Sequence, residues 1–583
     1  MYLFGRFWTA VAYFANLLTL SPIDAPGAQQ YPISGISDIR LDNSHLHYPI
    51  FKPPDGRLRG PGSDFKCDYS NMRGWHECST PENRECWLRH LDGREYNTHT
   101  DYENEAPTGV DRNHTLVLND GWVNADGLGF AAAKLFNGSF PGPWIEACWG
   151  DVINNLTHNG TSVHWHGIRQ NQTMHMCRVN GITYWSTTQY GSSWYHSHYS
   201  VQYADGLQGP VTIHSLASAP FDEPKFPLLM TSWGAASHNS AFDAVYGADP
   251  LQPNILLNGH GNVNNFTGKK NTSAIPPIYD LHFEKIDTSM PGRAKWYLLR
   301  LINTSFESTF IFSIDNHYLP IISADFVPIE PYYNTSVRIS IGQWYHVIVE
   351  ANPVAGSCRI PHSLDVYERT GIVRYNDTST SDPTSQEWPN ISKQCSDETY
   401  SSLKPILPWF VSQAVNGKDG EEFEVTLNNT AEPFPLALFS LEPGSSSGFT
   451  PLRINYNHPI FLYLNDFTGT WPKNWVAVPR NYTSTDWVYI LLTNYKRNDM
   501  YRPHPIHLHG HDFAILQQVE NSSYSPDKLH LKYDNPPRRD VVLLPQNGLV
   551  VIAFKTDNPG SWLMHCHIAY HATYGLALQI LER

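Results

Sequence analysis

The amino-acid sequence predicts an all-β protein built from three domains. Its 583 residues exceed the ~250–300 at which one hydrophobic core stops growing. Helical spacing is nowhere sustained beyond three turns, whereas short runs rich in Val, Ile, Thr, Trp and Tyr recur between Gly, Pro and Asn. Many short strands pack most readily as sandwiches or barrels. The clearest predicted strands are Thr115–Leu118, Trp296–Ile302, Val337–Ile341, Trp344–Val349 and Val550–Phe554.

The composition is that of a globular, acidic protein. Hydrophobic residues make up 41% of the chain and charged residues only 16%, which excludes a disordered protein. The chain has 40 Lys and Arg against 55 Asp and Glu, a net charge of −15. Nucleic acid and anionic lipid surfaces would repel it, so we expect neither as a partner. The 28 histidines stand out, because histidine is the commonest metal ligand.

A secretory signal is predicted for residues 1–28. Arg6 precedes an apolar run from Phe7 to Leu20, and small residues follow at Ala25–Ala28. The run is short for a membrane span, and no later stretch of ~20 apolar residues is present. We therefore expect a secreted, extracellular chain with no membrane-spanning segment.

The rest of the chain divides at two shifts in composition. These shifts lie near Ser215–Pro224 and Ser396–Pro408 and suggest domain boundaries. Residues 31–75 are polar and without period, which favours an extended arm. We predict an N-terminal extension over 29–100 and domains over 101–217, 218–397 and 398–583.

Glycosylation triplets and cysteines agree with export. Local spacing makes Cys78 with Cys86, and Cys358 with Cys395, plausible disulfide partners, while Cys67, Cys148 and Cys177 are left over. Asn-x-Ser/Thr triplets predict N-linked glycans, although some are expected to be buried and unused. They begin at Asn113, Asn137, Asn155, Asn159, Asn171, Asn265, Asn271, Asn303, Asn334, Asn376, Asn390, Asn428, Asn481 and Asn521.

Histidines are concentrated in four short clusters. On a strand successive side chains alternate faces, so a His-x-His pair places both imidazoles on one side, ready to bind a common metal site. Four such pairs supply eight ligands. The pairs are His164 with His166, His196 with His198, His507 with His509, and His565 with His567.

The same alternation predicts a second, adjacent site. Cys566 points away from its two histidine neighbours, and His504 lies an odd number of residues from His507 and His509. Together with His571, these residues offer one Cys and two His, the blue-copper arrangement for electron transfer. Structural zinc, the lesser alternative, would require four closed nitrogen or sulfur ligands.

Four segments resemble the multicopper oxidases, and closely the secreted fungal laccases. They read HWHG at 164–167, WYHSHYSVQYADGLQGP at 194–210, RPHPIHLHGHDF at 502–513 and NPGSWLMHCHIAYHATYGL at 558–576. The similarity runs from about Cys78 to the C-terminus. It implies three cupredoxin-like domains, with a trinuclear copper cluster between the first and third and a blue copper in the third.

The resemblance also implies ligands for four copper ions per chain. His164 and His507 match the ligands of the type 2 copper, and Cys566 with His504 and His571 matches the type 1 site. The family's axial position falls on Leu576, with Ile568 opposite, and a non-coordinating residue there favours a higher reduction potential. The two type 3 sites correspond to His166, His196 and His567, and to His198, His509 and His565.

The implied reaction is that of a laccase. Single electrons from phenols or aromatic amines enter at the blue site and pass through Cys566 to His565 and His567, where dioxygen is reduced to water. We expect a monomer, with Asp243 as the nearest carboxylate for a phenolic proton. A ferroxidase-type relative is the enzymatic alternative, and it would need carboxylates around the blue-site histidines.

The predicted first domain departs from the family pattern. Between His166 and His196 the chain is shorter by about a dozen residues, roughly one strand of ~5–6 residues with its turn. Cys177 stands where relatives have an acid that supplies protons, which predicts slow re-oxidation of the reduced protein by dioxygen. A third hypothesis is therefore a copper-binding glycoprotein whose incomplete first domain leaves it without oxidase activity.

Overall fold

The structure, a computed structural model, describes most of the chain after residue 64. Every described residue belongs to one compact unit, His47–Arg583. The predicted signal peptide, Cys177 and Asp243 lie outside the described residues. The described ranges are 65–125, 131–158, 161–174, 182–233, 254–261, 280–283, 294–351, 358–362, 369–375, 384–392, 394–412, 436–438, 452, 460, 475–478, 482–494, 503–522, 525, 528–573 and 575–582.

Part of the predicted N-terminal extension forms a small sheet. Strands β1 (Trp75–Glu77), β2 (Cys86–His90) and β3 (Glu95–Asn97) pair antiparallel. Trp87 and Leu88 of β2 pack into the same hydrophobic core as the sheets that follow. Two disulfides hold this segment: Cys78–Cys86, as predicted, and Cys67–Cys148, which spans 81 residues and which local spacing did not reveal.

The next pair of sheets carries the first two histidine clusters. Their orders are β5-β4-β7-β9 and β6-β11-β10-β8, and a core rich in Trp and Tyr lies in this region. A 3₁₀ turn, Gln202–Asp205, follows β10. The strands are β4 (Asp111–Val123), β5 (Ala131–Phe136), β6 (Ile145–Cys148), β7 (Val152–His158), β8 (Val163–Trp165), β9 (Ile182–Ser186), β10 (Gly191–Ser197) and β11 (Gln208–His214).

The middle pair of sheets contains no predicted ligand. One sheet has the order β14-β13-β16-β21-β18-β19 with β12 beside β16, and the other has the order β15-β23-β22-β17-β20. The strands are β12 (Glu223–Pro224), β13 (Leu228–Trp233), β14 (Asn254–Leu257), β15 (Asp280–His282), β16 (Trp296–Asn303), β17 (Phe310–Ser313), β18 (Leu319–Ala324), β19 (Val327–Asn334), β20 (Ser336–Ile339), β21 (Trp344–Glu350), β22 (Cys358–His362) and β23 (Arg369–Arg374).

The last pair of sheets carries the other two clusters. The orders are β24-β26-β31-β28-β29 and β25-β33-β32-β27-β30. A short helix, Ala569–Thr573, follows β32. The strands are β24 (Leu436–Leu438), β25 (Trp475–Ala477), β26 (Trp487–Thr493), β27 (His504–Leu508), β28 (Phe513–Val519), β29 (Arg538–Arg539), β30 (Val541–Leu544), β31 (Leu549–Lys555), β32 (Gly560–Cys566) and β33 (Ala577–Glu582).

Strand β26 shows why hydrophobic alternation is weak in parts of this sequence. All seven of its residues are buried. Val488, Ile490 and Leu492 enter one hydrophobic cluster, while Trp487 and Leu491 enter another on the opposite face. A strand covered on both faces has no polar side to alternate with, so it appears in the sequence as a continuous apolar run.

These sheets confirm the all-β prediction. All five predicted strands are present, although the one that begins at Val337 ends at Ile339 rather than Ile341. The predicted Cys358–Cys395 disulfide is wrong, because Cys395 is a free thiol. None of the helices in the described ranges has the length and apolar character needed to span a bilayer.

A buried group of charges joins the predicted first domain to the last pair of sheets. Glu103 accepts hydrogen bonds from Arg538 (3.1 Å), Lys555 (2.7 Å) and the indole of Trp409 (2.8 Å). Arg169 lies against both Glu103 and Asp512, and Asp512 also lies 3.3 Å from Arg538 Nε. We refer to Glu103, Arg169, Asp512, Arg538 and Lys555 as the Glu103 cluster.

Candidate metal centre

Neighbouring strands align the first two histidine pairs. His164 in β8 stands directly opposite His196 in β10. His166 and His198 follow the last residues of these strands, and their backbone amides continue the pairing by donating to the carbonyls of Trp194 (3.1 Å) and Ser162 (2.9 Å). Because the pairing continues beyond the strand ends, the backbone holds all four histidines in place.

The other two pairs are built in the same way. His507 in β27 stands opposite His565 in β32. The amide of His509 donates to the Leu563 carbonyl (2.9 Å), and that of His567 donates to the Pro505 carbonyl (2.7 Å). The two strand pairs face each other, so that eight imidazoles meet.

The eight imidazoles pack together in one cluster. His164 Nε2 lies 3.1 Å from His507 Nε2. His565 Nε2 lies 3.3 Å from His198 Nε2 and 3.1 Å from His509 Nε2. The ring centroids of His166, His196 and His567 are separated by 4.9 to 5.8 Å. Closer ring contacts cross these sets, because His164 stacks on His509 at 3.8 Å and His166 on His507 at 4.0 Å, so the division into ligand sets stays a prediction.

Burial keeps these imidazoles neutral. Loss of solvent is the main cause that lowers the pKa of each one, and for most of them neighbouring imidazoles lower it further. The pKa values of His198 and His507 fall to about 4. Neutral imidazoles have a ring nitrogen with an available lone pair, which is the form that binds metal ions.

Several of these nitrogens have no hydrogen-bond partner. Both ring nitrogens of His567 and Nε2 of His196 are buried and unpaired. An unpaired buried polar atom is costly, and buried polar groups in folded proteins are nearly always satisfied. A cation would satisfy the ring nitrogen that carries the lone pair in each imidazole, so the residues present fit a metal cluster.

Cys566 forms a separate group on the other side of β32. It is paired with Ile506 of β27, one position from His507, and therefore faces away from the eight imidazoles. Cys566 Sγ lies 3.6 Å from His504 Nδ1 and 3.4 Å from His571 Nδ1. Burial raises the pKa of the Cys566 thiol and lowers that of His504 to about 4.

Apolar residues surround the Cys566 group. Ile568 and Leu576 belong to the same buried cluster as Cys566. The Leu576 amide donates to the His571 carbonyl (2.9 Å), and its carbonyl accepts from the Cys566 amide (3.0 Å). Two backbone bonds thus hold Leu576 next to two of the predicted ligands.

Asp540 is a site residue that the sequence did not reveal. Asp540 Oδ2 lies 3.1 Å from His166 Nε2 and 3.2 Å from His507 Nδ1. Burial raises the pKa of the Asp540 carboxyl to about 7, although Arg539 opposes the rise. Asp540 lies outside the four segments that carry the resemblance, so the sequence did not single it out.

Comparisons with known proteins agree with this geometry. Residues 119–218, 225–372 and 450–583 match three multicopper oxidase family models. The chain is 39% identical to a laccase of Arthroderma benhamiae, over 92% of this chain and 88% of that protein. It is 38% identical to laccase-2 of Botryotinia fuckeliana, over 86% of each. The crystal structure of a laccase from Botrytis aclada superposes with a TM-score of 0.73 at 34% identity, covering 87% of this chain and 93% of that one.

Proposed function

The chain belongs to the multicopper oxidase family, and from that premise we propose that it is a secreted laccase. The family implies copper, and the laccase relatives imply a small-molecule substrate and dioxygen. The proposal specifies one-electron oxidation of phenols or aromatic amines, coupled to four-electron reduction of dioxygen to water. The observation that carries it is that eleven predicted ligands from four separate sequence clusters come together in two adjacent groups.

In this proposal the chain holds four copper ions. His164 and His507 would bind the type 2 copper, and Cys566 with His504 and His571 would bind the type 1 copper. Copper supplies reversible one-electron chemistry, together with binding of dioxygen at the cluster. The two type 3 coppers are assigned to His166, His196 and His567, and to His198, His509 and His565.

The polypeptide itself supplies the route for electrons. His571 is partly exposed whereas His504 is buried, so substrate electrons would enter at the His571 ring edge. Cys566 is covalently joined to His565 and His567, which reach the other cluster. Electrons therefore cross β32 through a few covalent bonds, and the substrate never approaches the dioxygen site.

Two further features of the chain support separate sites for the substrate and for dioxygen. The apolar side chains of Ile568 and Leu576 exclude water around Cys566, which favours a high reduction potential. On the other side of the strand, Asp540 contacts His166 and His507 and would fix the orientation of their rings. The carboxylate first assigned to the phenolic proton, Asp243, remains a candidate outside the described residues.

Copper content and visible absorption test the proposal on the purified, secreted protein. We expect four copper ions per chain, a blue band from the Cys566–copper bond, and faster turnover of a simple phenol than of iron(II). Cys566→Ser should remove the band and the turnover. Preferred turnover of iron(II) would favour the ferroxidase alternative, and a blue protein without turnover would favour the inactive glycoprotein. A colourless protein with full copper content would refute the laccase assignment.

A further inference from the structure

A cavity of about 580 Å³ is lined in part by Glu103, Arg169 and Lys555 of the Glu103 cluster. Its volume is within the ~300–1,000 Å³ of sites that bind small ligands. Asn171, from the predicted first domain, and Phe410 also line it. None of the predicted copper ligands lines it.

The walls combine an exposed aromatic ring with many hydrogen-bonding groups. Phe410 is 71% exposed, which is unusual for so large an apolar side chain. Carboxylates, hydroxyls and amides line the same cavity, including those of Asp101, Asn104, Ser484 and Thr485. An aromatic face with several polar groups suits a saccharide, whose ring has an apolar face and a rim of hydroxyls.

Asn171 places a glycosylation triplet at the edge of this cavity. It heads Asn171-Gln172-Thr173 and is exposed. The triplet lies in a turn, closed by a hydrogen bond of 2.8 Å from the Thr173 amide to the Gln170 carbonyl. The Asn171 side chain is thus accessible and also lines the cavity wall.

We propose that the N-linked glycan of Asn171 folds back into this cavity and covers Phe410 with its first sugar residues. Asn171 Nδ2 would bond to the anomeric carbon of a lipid-diphosphate-linked oligosaccharide, as the sugar–phosphate bond breaks, the lipid diphosphate leaves and the amide loses a proton. Tethering raises the local concentration of the sugar, so modest contacts suffice for binding. The glycan then connects two residues that line the same cavity, Asn171 and Phe410.

Other triplets show that accessibility differs from site to site. Asn155 and Asn303 are fully buried. Asn137 is exposed, but its side-chain amide donates to the Thr115 carbonyl (2.9 Å) and accepts from the Val117 amide (2.7 Å). Asn390, by contrast, is exposed and is not among the residues that line the cavity. It provides a matched control for Asn171.

Glycopeptide mapping and native deglycosylation test the first step. We expect occupied Asn171 and Asn390, unoccupied Asn155 and Asn303, and enzymatic release of the Asn171 glycan from folded protein at least about tenfold slower than from Asn390. Both glycans should be released equally fast after denaturation. An empty Asn171 beside an occupied Asn390 would overturn this proposal alone. Absence of glycan at every triplet would overturn secretion as well.

A double-mutant cycle tests the contact with Phe410. Phe410→Ala should lower the thermal midpoint of the glycosylated protein, and this loss should disappear when Thr173→Ala removes the triplet. Thr173→Ser keeps the triplet and should behave as the parent does. Asn390→Gln should leave the effect of Phe410→Ala unchanged. Equal losses with and without the Asn171 triplet would show that the glycan does not contact Phe410 and would overturn the proposal.

Discussion

The eight-histidine group and the Glu103 cluster are both buried and both join residues of the predicted first domain to the last pair of sheets. In the Glu103 cluster each carboxylate lies against a guanidinium or an ammonium group. In the histidine group several ring nitrogens have no partner, and most neighbouring groups are other neutral imidazoles. In the Glu103 cluster Asp512 Oδ2 and Arg538 Nε also lack a hydrogen bond, but they are opposite charges 3.3 Å apart. Both regions are largely buried, although the Lys555 side chain is 23% exposed.

This difference separates a structural cluster from a binding site. Charges that pair with one another inside the protein need nothing more, and removal of one partner leaves the others unpaired. Buried ring nitrogens whose lone pairs point at one another have no proton donor nearby. They need an external cation. Neutral imidazoles that converge without an opposite charge therefore distinguish the metal centre more clearly than burial alone does.

Removal of copper should have the largest effect, and only on the histidine region. Chelation at constant pH should abolish phenol turnover and lower the free energy of unfolding by about 2.7–4 kcal/mol for each copper site, as for a ligand present at 100 to 1,000 times its Kd. Added copper should restore both. Activity that survives full removal of copper would contradict the assignment of these residues.

Glu103→Ala should destabilise the fold without removing the metal centre. Truncation leaves the buried Arg538 guanidinium short of a partner, which costs about 3–5 kcal/mol by denaturant titration. Asp120→Ala is the control, because Asp120 is 79% exposed in its pair with Lys134 and should cost only about 0–1 kcal/mol. Loss of copper from correctly folded Glu103→Ala protein would show that the two regions are not independent.

Asp540→Asn should impair the eight-histidine group and leave the Cys566 group unaffected. The carboxylate contacts His166 and His507 but is not among the groups around Cys566. We expect re-oxidation by dioxygen to slow about 10–100-fold while reduction of the blue band by a phenol keeps its rate. Stopped-flow absorbance measures both steps, and equal slowing of the two would indicate a general structural defect.

His346 is a single buried imidazole outside the copper-binding groups. It shows how burial of one imidazole affects stability as the pH falls. Its Nε2 has no partner, and burial, aided by Arg300, lowers its pKa to about 3. Between this pKa and the pKa of about 6.5 for histidine in the unfolded chain, the unfolded chain binds more protons than the folded chain does. Stability should therefore fall with falling pH by up to about 1.4 kcal/mol per pH unit.

His346→Gln should remove that part of the acid sensitivity and leave the copper content unchanged. Unfolding titrations between pH 4 and pH 6.5 measure the slope of the free energy of unfolding against pH. His76→Gln, at an exposed histidine, is the control and should not change it. A slope that is the same in His346→Gln and in the parent would contradict the lowered pKa.

Leu576→Met should have the smallest effect on the fold. Leu576 is buried beside Cys566, and the exchange nearly conserves volume, so it should cost less than about 1.5 kcal/mol. A thioether can approach the metal and stabilise its oxidised state, which lowers the reduction potential. Redox titration measures this shift, and an unchanged potential would show that residue 576 does not face the copper.

The sequence by itself determined the all-β class and the alternation around Cys566, and it made the Cys78–Cys86 bridge plausible. These features depend on residues close together in the chain. The two-residue period of a strand places Cys566 opposite His565 and His567 wherever that strand lies in the fold. The family likeness then supplied a grouping of the histidines that the strand period alone does not contain.

Only the tertiary structure decided which distant groups meet. His164 and His507 are 343 residues apart, and Arg538 reaches Glu103 across 435. The Cys67–Cys148 bridge, the place of Asp540 beside two imidazoles and the pairing within the Glu103 cluster likewise depend on how the sheets pack. Local periodicity cannot encode these contacts, because they arise from the burial of whole sheet faces and the closure of long loops.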